Sequence, residues 1–133
     1  MTKSIISKEF MNKNVIKEHL NTNSRFSSKD GYIQSDIDQI WRNYKNKLFL
    51  LAEHKCRLAE PSYSQLSIFS EMDRYLSLSP NYLGIFLIQL GGETILDGKI
   101  YIAGKEVNLE QLDNFFAMDI KNKKLYEHYR LKF

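Results

Sequence analysis

Cysteine is nearly absent: Cys56 is the single one among 133 residues, which excludes a disulfide framework within the chain and a multi-cysteine zinc site. Proline and glycine are scarce, at two and six residues, and 13% of the chain is aromatic. Collagen-like, low-complexity and disordered architectures are thereby excluded, because that aromatic share is ample for a packed core. Long apolar runs are missing too. The longest, residues 82–90, is about half of the roughly 20 residues a membrane span needs, and it contains Gly84. The first 30 residues have no apolar signal-peptide core, since Lys3, Lys8, Lys13 and Lys17 are spread through them. These absences lead to the expectation of a soluble, intracellular chain forming one domain over residues 1–133. The Asn/Lys/Ile-rich usage points to an AT-rich genome, so a bacterial or viral, cytoplasmic setting is expected.

Charge of one sign is also in short supply. The formal net charge is +3, and residues 1–30, with six Lys/Arg against Glu9, Glu18 and Asp30, hold all of it. Such an excess tolerates a polyanionic partner but is small beside the basic stripes of dedicated nucleic-acid binders.

What the chain does have is apolar periodicity. Residues 4–20 place Ile5, Ile6, Phe10, Val15, Ile16 and Leu20 at helical spacing, and residues 21–30 read as a loop. A strand interrupted near Ser35 is expected over residues 31–41, followed by a polar hairpin turn over 42–47. Two unbroken apolar runs, 48–52 and 83–90, have the pattern of strands buried on both faces. Between them Leu66, Phe69, Met72, Tyr75 and Leu76 form one helical face after Glu60-Pro61-Ser62, so a crossover helix joining a parallel pair is expected. Asp97-Gly98 signals a hairpin between 94–96 and 100–102, and Asn108 caps a helix running to about Ala117. The expected fold is α/β, a mixed central sheet with helices against it.

The chemistry concentrates where the first buried run ends. Glu53 and Lys55 are two apart and point to one face of a strand; Asp36 and Asp38 on the preceding strand share that spacing. A hairpin near residues 43–46 places Glu53 close to residues 35–36, with Asp38 slightly nearer the turn. Two carboxylates and a lysine then converge, a donor set suited to a hard divalent cation. His54, between the pair, is expected to face away, and Cys56 is expected to be a small buried hydrophobe. An ordinary alternative stands beside this: a structural ion pair at a strand end, with the aspartates as turn or cap residues.

Asp36-Ile37-Asp38 followed by Glu53-His54-Lys55, closing a buried strand, resembles the PD-(D/E)XK nuclease superfamily. The likeness covers residues 31–90 and departs in lacking a proline before the aspartate. It implies a restriction-endonuclease-like αβββαβ core and a Mg²⁺-dependent deoxyribonuclease, with Mn²⁺ substituting, endonuclease ahead of exonuclease. By position it assigns the metal to Asp38 or Asp36, Glu53 and the His54 backbone carbonyl. Lys55 would position the attacking water, and Gln65 would support it from the following helix. Arg57, two beyond the lysine, is a candidate phosphate contact. For the basic, aromatic tail over 121–133, docking on its own domain competes with nucleic-acid contact through Lys123, Lys124 and Arg130. DNA is the expected partner, with specificity supplied by a second copy or another protein. The rival from another class is a non-catalytic binding module on the same fold, an accessory or inhibitor protein.

Overall fold

The computed structural model describes residues 15–16, 18–30, 37–95, 98–118 and 123–133. The chain divides into two compact units, residues 1–34 and 35–133. In the first, residues 18–22 are helical and two 3₁₀ turns follow, Ser24–Phe26 and Ser28–Asp30. Most of the helix expected over 4–20 lies outside the described residues, as does the strand segment over 31–36.

The second unit is an α/β structure built on a five-stranded mixed sheet in the order β1-β2-β3-β4-β5. The strands are β1 (Gln39–Asn43), β2 (Leu48–Lys55), β3 (Tyr82–Leu90), β4 (Ile100–Ile102) and β5 (Lys105–Val107). Helix α1 (Tyr63–Leu76) follows β2, and α2 (Leu109–Ala117) and α3 (Lys123–Tyr129) follow β5. Strands β2 and β3 are the parallel pair and every other neighbour is antiparallel. No helix among the described residues is long and apolar enough to cross a membrane.

Two-sided burial explains the unbroken apolar runs. Leu48, Leu50 and Ala52 of β2 pack with Phe86 and Ile88 of β3 against Leu112, Phe115 and Tyr126 of α2 and α3. The alternate residues, Leu51 and Ile85, pack with Tyr82 against Phe69 of α1, with Phe49, Met72 and Leu76 at its margin. Tyr82 and Ile85 are three apart, an odd number, yet they share a face. A bulge permits this: β3 spends one extra residue between the pairs Phe49↔Tyr82 and Leu51↔Ile85. Gly84 sits there with φ of +133°, a conformation that L side chains rarely adopt.

Helix starts follow the capping chemistry. Ser62 Oγ accepts from the Gln65 N–H while Gln65 Oε1 accepts from the Ser62 N–H, and Asn108 with Gln111 repeats this reciprocal arrangement in α2. The end of α2 is closed from elsewhere. Trp41 Nε1–H donates to Phe116 O, Asn43 Nδ2–H to Ala117 O and Asn46 Nδ2–H to Met118 O, so three side chains of the β1–β2 hairpin satisfy three successive carbonyls.

Two expectations are corrected. Residues 94–95 are bends rather than a strand, and β4 pairs with β3 and β5 instead. The hairpin turn is Ala103-Gly104, both at positive φ (53° and 76°), the combination whose twist matches the flanking strands. Cys56 is exposed, not buried. The strand ends at Lys55, and Arg57 and Leu58 then take left-handed backbone (φ 55° and 57°), turning the chain away from the core.

A Cβ on Gly84 would lie 2.9 Å from the Arg130 Cβ. Gly84→Ala therefore combines backbone strain with displacement of Arg130, and urea denaturation should show a loss of about 2 kcal/mol. A variant as stable as the parent would show that the bulge does not require glycine.

Candidate functional site

The site is assembled at the end of β2, beyond the last β1 pair. The antiparallel register matches Gln39 with Ala52, so the next step back along β1 brings Asp38, not residues 35–36, beside Glu53. Asp36 lies outside the described residues. His54 projects its N–H past the end of the β1 ladder, and Asp38 Oδ2 accepts it at 2.8 Å in place of a strand partner. A strand residue sends its N–H and C=O to the same neighbour, which turns the His54 carbonyl toward the Asp38 side as well. The His54 side chain is exposed, on the sheet face opposite Glu53 and Lys55.

Glu53 and Lys55 share the α1 face with Leu51. Glu53 is only 3% exposed, and its Oε2 has no hydrogen-bond partner among the described residues. Lys55 Nζ lies 3.8 Å from Glu53 Oε1 and donates to Gln65 Oε1 at 3.1 Å. That same oxygen accepts from the Ser62 N–H at 3.0 Å, so the helix cap also aims the lysine. Burial, followed by hydrogen bonding to and repulsion from Asp38, pushes the Glu53 carboxyl up to about 7, against a smaller opposing pull from Lys55. A neutral or part-neutral carboxyl at this depth is what desolvation demands when a single ammonium is all that offsets two acids.

Comparison with protein families, with curated proteins and with solved structures finds no match. The site stands on its own geometry.

Among the described residues no three His, Cys, Asp or Glu side chains gather as a metal cluster. The donors present are Asp38, Glu53 and one carbonyl, all hard oxygens. An orphaned buried carboxylate oxygen beside a second carboxylate fits Mg²⁺ or Mn²⁺ better than a softer metal.

Several candidate residues are placed elsewhere. Arg57 is exposed and ion-paired with Glu93. Lys124 is exposed on α3, and the side chain of Lys123 lies outside the described residues. The tail docks on its own unit: Tyr126 is 1% exposed, and Arg130 is held by Asp73 at 2.8 Å and Ser77 at 3.3 Å, with its guanidinium over the Tyr82 ring. Tyr82 donates to Asp73 at 2.6 Å, and burial with that contact raises its hydroxyl above the ordinary tyrosine range. This commits Arg130 to the fold rather than to a phosphate.

Gln89 is a further member of the sheet face that carries Glu53 and Lys55, beyond the residues the sequence pattern points to. It pairs in register with Lys55, is buried, and donates through Nε2 to Leu58 O and Ala59 O at 3.2 and 2.9 Å, fixing the loop that leaves β2. Its signal was available: it is the one polar residue between Leu83 and Leu90.

Glu53 generates a pH prediction with a definite sign. Its folded pKa lies above the ordinary value of 4.5, so the folded state holds a proton that the unfolded chain releases. The contribution of Glu53 to stability is then fully present below about 4.5 and is lost as pH rises through 7, about 3 kcal/mol in the absence of divalent metal. Glu53→Gln should flatten that slope and be at least as stable as the parent at pH 8, read by urea denaturation at pH 5 and pH 8. Parallel slopes in the two proteins would show that Glu53 ionises normally.

Proposed function

We propose that this chain is a metal-dependent nuclease that hydrolyses DNA phosphodiester bonds, with a restriction-endonuclease-like core around an Asp38, Glu53, Lys55 site. One observation carries the reading: a buried carboxylate with an unpartnered oxygen sits beside a second carboxylate and a lysine already fixed by a helix glutamine. A strand-end ion pair needs one acid and one base, and it gives no reason to set a second, exposed acid against the buried one. The parallel β2–α1–β3 crossover with Glu53 and Lys55 closing β2 supports the same reading.

Asp38, Glu53 and the His54 carbonyl would hold Mg²⁺ or Mn²⁺. When bound, the ion supplies acidification of a water and neutralisation of charge developing on the phosphate. The protein's own groups do the rest. Lys55 presents an ammonium to the attacking water and to the non-bridging phosphate oxygens, where it offsets negative charge as the bond breaks. Gln65 holds that ammonium in place, so little reorganisation is required when the phosphate arrives. Glu53 acts as a carboxylate, its proton being lost as pH rises through about 7.

The purified chain should cut DNA with Mn²⁺ or Mg²⁺ and stop when a chelator is added. Glu53→Gln, Lys55→Ala and Asp38→Asn should each lower the cleavage rate by about 100-fold or more while keeping native circular dichroism. Cleavage by all three at the parental rate would reject the site. An intact parent that binds DNA without cutting it would favour the binding-module alternative.

A further inference from the structure

The site does not end at Lys55. In the parallel register Glu53 matches Leu87 and Lys55 matches Gln89, so the side chains of Leu87 and Gln89 continue the same sheet face across β3. The row then meets the β4–β5 turn, where the Ala103 N–H donates to Leu87 O at 3.2 Å. A hollow of about 420 Å³ opens over this row. Leu87, Gln89, Ala103 and Gly104 line it, and the basic side chains Lys105, His128, Arg130 and Lys132 stand around it, with Glu60 as the one carboxylate among its lining residues.

The charges are not equivalent. Arg130 is taken up by Asp73 and by Glu127 at 3.7 Å. Lys105 and Lys132 are exposed and have no carboxylate within ion-pair distance among the described residues; Lys105 instead contacts the His128 ring and lies 5.7 Å from the centre of the Tyr129 ring. Three cationic side chains against one carboxylate, two of them unneutralised, border an open hollow rather than flat surface. Its floor begins one strand from Lys55 and ends two strands away, about 10 Å at the usual spacing. That is the reach of the next phosphates along a strand seated at the site.

We infer that this hollow is the backbone track for the DNA strand bound at the Glu53–Lys55 site, with Lys105 and Lys132 contacting its phosphates and no base being read. The inference rests on the nuclease reading for its direction, but binding tests it independently of cleavage.

The experiment uses the full chain carrying Glu53→Gln, so that DNA is not consumed, with a labelled 20-residue single-stranded DNA and fluorescence anisotropy across a salt series in Mg²⁺. Adding Lys105→Ala and Lys132→Ala should raise Kd about tenfold and reduce the slope of log K against log salt by about 1.4, two contacts at about 0.7 each. The loss should be equal for oligonucleotides of different sequence. Removing the same number of charges elsewhere, with Lys45→Ala and Arg74→Ala, should leave the slope unchanged. Melting curves matching the parent confirm that both double variants are folded. An unchanged slope in the Lys105/Lys132 variant, equal losses in both double variants, a sequence-dependent loss, or no binding by the parent would each overturn the track. If the loss appears as expected while the wild-type chain cuts nothing, the track stands as a DNA-binding surface and the nuclease reading fails.

Discussion

Parallel pairing of β2 with β3 is the constraint from which the rest of this unit follows. Two parallel neighbours cannot be joined by a tight turn, so α1 must cross over one face of the sheet. The opposite face is then covered by α2 and α3, and β2 is enclosed on both sides. Enclosure is favourable for Leu50 and Leu51 and costly for the carboxylate three residues from the first of them. Glu53 is therefore desolvated by the same packing that holds the strand in place.

That cost is distributed among neighbours instead of being removed. Lys55 offsets Glu53 at 3.8 Å, a distance too long for a close ion pair, and is itself drawn toward Gln65. Asp38 raises the repulsion and at the same time closes an open backbone N–H at His54. Each group thus has a structural partner, and the pair of acids still lacks full compensation. The folded state tolerates this at one strand end because β3, α1 and the loop tied down by Gln89 are well satisfied around it.

The legible parts of the fold were those where pattern and environment coincide. The runs ending in Ala52 and Leu90 announce buried strands, Ser62 with Gln65 announces a helix start, and a two-residue spacing puts Glu53 and Lys55 on one face. Asp38 was within reach of the same reasoning, and its exact partner depended on how many residues the hairpin turn consumed. What stayed illegible is non-local. Asp97-Gly98 is a stronger turn signal than Ala103-Gly104, yet β3 offers β4 its pairing edge and the turn forms one position set later. No local pattern joins Arg130 to Asp73 and Tyr82, or shows that the extra residue at Gly84 restores the phase of Ile85. Cys56 looked like core by residue type, and backbone direction overruled it.

The three hairpin side chains that close the end of α2 do more than complete a helix. Trp41, Asn43 and Asn46 read consecutive carbonyls of a rigid element, so together they work as an index that admits a single longitudinal setting of β1. An outer strand without such an index can slide by one residue against its neighbour, and a slide of one reverses every side chain. Asp38 would then leave Glu53 for the far face, and the opposing acids would be separated without any change in sequence. The spacing of those acids is thus set from the other side of the sheet, by a helix that touches neither of them.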